Sequence, residues 1–313
     1  MEIREAKESD IPEIVEVLKA SLGEDQLELS EKVWRYKHID NPFGKSIVLI
    51  AVGNGGIIGI RAFMRWQWQQ GENRFSALRA VDTATHPEHQ GKGIFKKLTL
   101  KAVELARQNG DHFIFNTPNE KSRPGYLKMG WEQVGKIYIG LKPSIGFLKF
   151  KKSSKNYSIT KRISHNEIDE LCNRWNEYFE KESKLFTPKT AVMLRWRYEE
   201  NPLQAYEIIA ERGYYLACYV KKRGRLKELR IAECIFDQQT IDFKEIERII
   251  KVLEDKFKAH LISYSPKFLR LNGREGNFGP VLTFNSLTLI YPDKRSFLKI
   301  ENWNYSVGDL ELF

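Results

Sequence analysis

Gln90-Gly91-Lys92-Gly93-Ile94 constrains this chain most, because its paired glycines stand between a run that alternates like a strand and one that repeats like a helix. The strand pattern ends near Thr85, and Ile94, Leu98, Ala102 and Leu105 then keep helical spacing until Asn109-Gly110 closes the helix. A helix N-terminus leaves backbone N–H groups unpaired and carries partial positive charge, so a glycine turn that opens a helix can hold an anion at close range. Ordinary strand-to-helix turns use glycines as well, and the glycines alone do not separate the two readings.

The surroundings are those of a mixed α/β chain. A strand is predicted from Ile3 to Ala6, then a helix opened by Ser9 or Asp10 with Pro12 in its first turn, and a second helix reaching Trp34-Arg35-Tyr36. Asn41-Pro42 ends the helical region. Strands follow at Ile47 to Val52 and Ile57 to Trp68, joined by Gly53-Asn54-Gly55-Gly56, and Gly71-Glu72-Asn73 turns the chain into the strand that ends near Thr85. This is an antiparallel meander, and Phe113-Ile114-Phe115 is the next strand after the helix.

At 313 residues there is room for two domains, each with its own core. A hydrophobic fraction of 42% without any run of eighteen apolar residues excludes a disordered chain and membrane insertion through an apolar helix. Met1-Glu2-Ile3-Arg4-Glu5 carries no secretion leader, so a cytoplasmic location is expected. Cys172, Cys218 and Cys234 are odd in number and lack CxxC spacing, which argues against a disulfide framework and a zinc site; no metal is expected. The formal net charge of +10 favours an anionic partner without saying which.

Trp34-Arg35-Tyr36 with Asn41-Pro42 recurs as Trp196-Arg197-Tyr198 with Asn201-Pro202, each followed by a short apolar strand, Ile47 to Val52 and Tyr206 to Ala210. Ile3 to Ile14 and Ile159 to Leu171 also read alike, as a strand followed by a capped helix. We read a duplication, with domains at 1–142 and 158–313 and a linker at 143–157 holding Pro143, Gly146 and Lys151-Lys152-Ser153-Ser154-Lys155.

Thr85-His86-Pro87-Glu88-His89-Gln90-Gly91-Lys92-Gly93-Ile94 resembles the pyrophosphate-binding motif Q/R-x-x-G-x-G/A of the GNAT superfamily of N-acyltransferases, which follows the fourth strand and opens the third helix. Phe95 departs from it, standing where the family prefers a small residue. Asn119, Tyr126 and Gly130-Trp131 match a second family element at family spacing, and the resemblance covers about residues 1 to 140. It implies two GNAT-like domains, each a mixed, mostly antiparallel sheet flanked by helices, the C-terminal one degenerate because Cys234-Ile235-Phe236-Asp237 leads to the next helix without a glycine turn.

The resemblance further implies an N-acetyltransferase that passes an acetyl or other acyl group from acetyl-CoA to a primary amine by direct attack on the thioester. The main chain of Thr83, Ala84 and Thr85 would pair with the pantetheine arm, while Gln90, Gly91, Lys92, Gly93, Ile94 and Phe95 hold the pyrophosphate. Asn119 would hydrogen-bond the cofactor, or else cap the following helix. Tyr126 would protonate the leaving thiolate, or else be a packing tyrosine. Asp82 is the candidate general base, the competing reading being a pair with Arg79 or a backbone donor. His86 and His89 beside the turn are read mainly as loop packing or phosphate contacts, Lys96 and Lys97 as a solvated face, and Trp66 and Trp68 as a packed face rather than a stacking platform.

Expected partners are an acyl-CoA and an amine-bearing small molecule or amino sugar, with a homodimer open and nucleic acid not expected. Two other functions stand beside this one: an aminoacyl-tRNA-dependent transferase of the peptidoglycan-bridge type, and a non-catalytic acyl-CoA sensor or scaffold. At the C-terminus the alternation of Leu310, Leu312 and Phe313 predicts a last strand, and the rival reading brings the Phe313 carboxylate to Tyr126 as a base.

Overall fold

The computed structural model describes residues 1–23, 30–144, 163–290 and 293–310. The chain runs β1 (Glu2–Glu5), α1 (Ile11–Leu22), α2 (Glu31–His38), β2 (Ile47–Gly53), β3 (Gly56–Gln70), β4 (Asn73–Thr85), α3 (Ile94–Gln108), β5 (Phe113–Asn116), α4 (Arg123–Lys128) and β6 (Glu132–Lys136). Next come β7 (Ile139–Pro143), α5 (His165–Glu180) and α6 (Ala191–Leu194), which passes into a π-helical turn, Arg195–Glu199. The remainder is β8 (Glu207–Glu211), β9 (Tyr214–Arg223), β10 (Leu226–Phe236), α7 (Phe243–Phe257), β11 (Leu261–Tyr264), β12 (Arg274–Gly276), β13 (Val281–Ser286), α8 (Asp293–Phe297) and α9 (Val307–Leu310).

Two mixed sheets result, ordered β1-β2-β3-β4-β5-β13-β6 and β12-β7-β11-β10-β9-β8. Both use one plan: an antiparallel meander, then a strand parallel to its last member, β5 beside β4 and β11 beside β10. Beside that parallel strand lies an antiparallel one from far along the sequence, β13 against β5 and β7 against β11. The contiguous division at 142 and 158 is therefore corrected. The compact units are Met1–Trp68, Asn73–Gly135 and Pro280–Ile300 on one side, and Gln69–Glu72, Lys136–Gly279 and Glu301–Phe313 on the other. The physical reason is hydrogen-bond pairing, which takes Ile139–Pro143 into the second sheet and Val281–Ser286 into the first. Of the expected linker, residues 145–157 lie outside the described residues, as does the strand expected at Ile159.

In the first unit the meander forms as its alternation requires, and α3 covers the sheet with the stripe Ile94, Leu98, Ala102 and Ala106, all buried. Close approach is set at Gly59, where a Cβ would stand 2.7 Å from Ile94 Cγ2. Asp10 precedes α1 with Pro12 in the first turn as expected, but its carboxylate is held by Arg4 at 2.7 and 2.8 Å rather than by the helix backbone. Trp66 and Trp68 are buried, beside Phe43 and Phe115, in keeping with a packed face.

In the second unit α5 begins with a reciprocal cap between Ser164 and Glu167. The recurring Asn-Pro motif has a common function: Asn41 accepts from Phe43 N and Asn201 from Leu203 N, both at 2.9 Å. The expected C-terminal strand is corrected in part, because residues 307–310 are the short helix α9. Ser306 and Asp309 cap each other's backbone there, at 2.8 and 3.1 Å, and this local pairing wins over the apolar alternation. Leu312 and Phe313 lie outside the described residues. All three cysteines are buried and unpaired, and among the described residues no helix is long and apolar enough to cross a membrane.

Candidate active site

The glycine turn does what its sequence requires. Gly91 and Gly93 take positive φ angles of 76° and 74°, and a Cβ at either would meet nothing within 4 Å, so the turn is open on the side the backbone presents. Gly93 is the residue before α3, no side chain caps the helix, and no acidic residue stands in its first turn. The leading N–H groups of a 15-residue helix are thus left for an outside acceptor. Lys92 is exposed and donates to the Glu88 carbonyl at 3.2 Å, while Lys96, Lys97 and Lys101 lie on the exposed face. Gln90 is exposed too, its amide donating to the Thr85 carbonyl at 3.2 Å.

Beside the turn, β4 separates from its neighbour. The parallel pairing matches Ala77, Leu78 and Arg79 with Phe113, Ile114 and Phe115 and ends there, yet β4 continues through Thr83, Ala84 and Thr85. Where the strands part, Asp82 adopts φ 41°, a left-handed conformation that is strained for a residue with a Cβ. The result is a wedge whose wall is β4 backbone and whose mouth is the α3 N-terminus.

Tyr126, on α4, is buried in the core cluster with its ring edge-on both to Phe95, 5.7 Å away, and to Trp131, 5.1 Å away. Its hydroxyl accepts a hydrogen bond from Arg61 Nη1 at 2.8 Å, and the same nitrogen donates to Thr83 Oγ1. The structure thereby brings Thr83, Phe95 and Tyr126 together around a residue that the sequence reading passed over. Asn119 stands apart: it is exposed, and its side-chain carbonyl accepts from Ser122 N at 2.9 Å, the turn-capping alternative.

Asp82 does not find the partner expected for it. Its Oδ2 lies 2.5 Å from Lys37 Nζ and 2.8 Å from His38 Nε2, both contributed by α2. Burial opposes its ionisation, but the Lys37 ammonium and the His38 bond outweigh burial and hold the carboxyl well below the usual range. His38 is lowered too, but toward its neutral form, since burial lowers its pKa more than Asp82 raises it. The neutral ring therefore donates through Nε2 to Asp82 and accepts at Nδ1 from Ser46 Oγ, 2.9 Å away. Lys37 and His38 follow the recurring Trp-Arg-Tyr directly, which is the only trace they leave in the sequence.

These directions give a pH dependence. A histidine with a depressed folded pKa stabilises the fold fully above its unfolded value of about 6.5, and loses that contribution as pH falls toward the folded one. Asp82, also depressed, adds a second loss below its unfolded value of about 3.9. Thermal stability of the wild type should thus fall as the pH drops below about 6.5, and His38→Gln should flatten that decline. Parallel curves for the two proteins would refute the assignment.

His86, Glu88 and His89 each offer one ligand atom within 4.8 Å of the others, the only such group among the described residues. Lys92 Nζ sits 3.4 Å from His89 Nδ1, and an ammonium beside the ligand atoms opposes a bound cation.

The second unit repeats this plan with the anion site closed. α7 is capped by Asp242, whose carboxylate accepts from Lys244 N at 3.1 Å, so the helix end carries its own negative charge. Glu233, three residues before the end of β10 as Asp82 is before the end of β4, shares Lys189 with Asp309, each contact 2.7 Å, and accepts from Tyr198 at 3.0 Å.

Comparison with curated proteins gives no match. Residues 2–134 match the family model described as an acetyltransferase (GNAT) domain. A GCN5-related N-acetyltransferase from Anabaena variabilis superposes with TM-score 0.64 at 11% identity, over 92% of this chain and 73% of that one. A protein from Enterococcus faecalis described as a probable N-acyltransferase gives 0.65 at 10% identity, over 91% and 72%. A GCN5-related N-acetyltransferase from Kribbella flavida gives 0.59 at 14%, over 90% and 70%. These likenesses extend the fold over both sheets, in a tandem arrangement, and residues 2–134 are similar to a GNAT acetyltransferase domain.

Proposed function

We propose that the first unit binds an acyl-CoA, acetyl-CoA in the simplest case, and transfers the acyl group to a primary amine of a small molecule or amino sugar. The observation that carries this reading is the uncapped α3 N-terminus with its two left-handed glycines, opening beside the stretch of β4 that has parted from β5. The pyrophosphate would sit on the N–H groups of Gln90 to Phe95, and the pantetheine amides would pair with the main chain of Thr83 to Thr85.

The amine attacks the thioester carbonyl, forming the C–N bond; the C–S bond then breaks with its electron pair going to sulfur. Tyr126 supplies the proton that makes the departing sulfur a thiol, and the proton lost from nitrogen leaves through water. Asp82 is a weak base while it is paired with Lys37, so in this reading it is an orienting charge at the bend of β4 rather than the proton acceptor. Asn119, engaged in its own turn, serves the shape of the loop before α4.

Mass spectrometry of mixtures containing acetyl-CoA and a panel of amino sugars, polyamines and peptides tests the activity. Acetylated product supports it; CoA binding without product from any acceptor favours the sensor reading instead. Tyr126→Phe should lower kcat by about 100-fold while CoA affinity stays within a few-fold, because the hydroxyl acts when sulfur departs. Unchanged turnover would return Tyr126 to packing.

A further inference from the structure

We propose that Arg61 is a positioning residue for acyl transfer: its guanidinium directs the Tyr126 hydroxyl and stabilises the negative charge that oxygen carries after giving its proton to sulfur. The inference rests on the acyltransferase reading above.

Arg61 lies in the middle of β3, two residues from Gly59 and from Phe63, so all three share the face toward α3. Its exposure is 0%. Among the described residues no carboxylate pairs with it, and Nε and Nη2 have no hydrogen-bond partner. A buried charge without a counter-ion is costly, and a plain core position would hold an apolar residue. Rings compensate in part: the guanidinium carbon stands 4.5 Å from the centre of Phe63, 5.2 Å from Tyr126 and 5.8 Å from Phe95. Phe95 is the residue that departs from the family's small side chain, and here it forms one wall of the cation's enclosure.

The contact with Tyr126 has a direction. Arg61 can only donate, so its bond at 2.8 Å occupies a lone pair of the phenolic oxygen and leaves the tyrosine's own hydrogen to be donated elsewhere. When that proton passes to sulfur, the oxygen becomes an anion already beside a fixed cation, in a site shielded from water. The proton released by the amine nitrogen returns through solvent to the phenolate, so the cycle closes with one amide and one thiol formed. Thr83, bonded to the same nitrogen, ties the guanidinium to the strand that would hold the pantetheine.

The test is a double-mutant cycle of Arg61→Met and Tyr126→Phe, with Arg61→Lys alongside. Thiol release from acetyl-CoA is followed in the presence of glucosamine, spermidine and a lysine-containing tripeptide, or as slow hydrolysis by water, which needs the same protonation of sulfur. Arg61→Met should lower kcat by about 100-fold in the wild-type background and by less than about 3-fold when Tyr126 is already Phe, with CoA affinity within about 3-fold throughout. Arg61→Lys should recover about 10-fold of the loss, because it keeps the charge but not the fork. An equal loss in both backgrounds, an effect confined to KM, or Lys no better than Met overturns the proposal. Met removes a buried charge without emptying the space, so melting at or near the wild-type temperature is expected; if it melts lower, the comparison of Lys with Met decides. A wild type that neither binds CoA nor releases thiol overturns the acyltransferase reading itself, whereas an active wild type with an additive cycle overturns only the role of Arg61.

Discussion

Gly93→Val is expected to abolish the stabilisation of this protein by CoA. A ligand bound only by the native state at 100 times its Kd adds about 2.7 kcal/mol, which for a unit of this size raises the melting temperature by about 5–10 °C. Valine at φ 74° forces the turn out of the left-handed region, and the N–H groups that follow it turn away from a common acceptor. Nothing lies within 4 Å of the new Cβ, so the loss would come from backbone conformation rather than from a clash in the core. Wild-type protein that shows no rise at millimolar CoA would remove the central reading; a valine variant stabilised as much as wild type would remove the turn from it.

Lys189→Ala should destabilise the second unit by about 3–5 kcal/mol, since it strands Glu233 and Asp309 together in the interior with neither charge balanced by the lysine. The sign of its pH dependence is set by Glu233. Burial and Asp309 together already outweigh Lys189 and raise its folded pKa, so the folded state holds a proton more tightly than the unfolded chain. A raised group stabilises below its unfolded pKa and loses that contribution as pH rises through the folded one, and removing the ammonium raises it further. The deficit of the alanine variant should therefore grow from pH 5 to pH 8 in thermal melts. A variant melting within 2 °C of wild type at pH 8, about the shift of 1 kcal/mol or less, would show the cluster to be energetically neutral.

The meander, the glycine turn and α3 were legible because each is a local decision: alternation, paired glycines and a four-residue stripe act within a dozen neighbours. Tyr126 could be found by its spacing from Asn119, although only its burial beside Phe95 and Arg61 shows what surrounds it. Arg61 left no signal, since the run from Ile57 to Trp68 also holds Arg65 and a charged residue there reads as a solvated position, while what buries Arg61 comes from Phe63, Phe95 and Tyr126 on three elements. Asp82 was singled out, but Lys37 and His38 lie 45 and 44 residues away, a distance over which pattern says nothing. Ser306-x-x-Asp309 was a readable helix start that the alternation at Leu310 obscured. The sheet membership of Ile139–Pro143 and Val281–Ser286 was beyond local reading, because a short strand's own residues do not specify which edge it will pair with.

The pairing of β13 with β5 spans 167 residues between Asn116 and Thr283. A ribosome adding about 5–20 residues per second therefore delivers β5 roughly 10–30 s before the strand that covers its edge. For that interval the nascent first half presents an open edge of Phe113, Ile114 and Phe115, the kind of surface that recruits other chains or chaperones. The glycine turn at the start of α3 can form early in synthesis, whereas the sheet that α3 covers is finished only when β13 emerges.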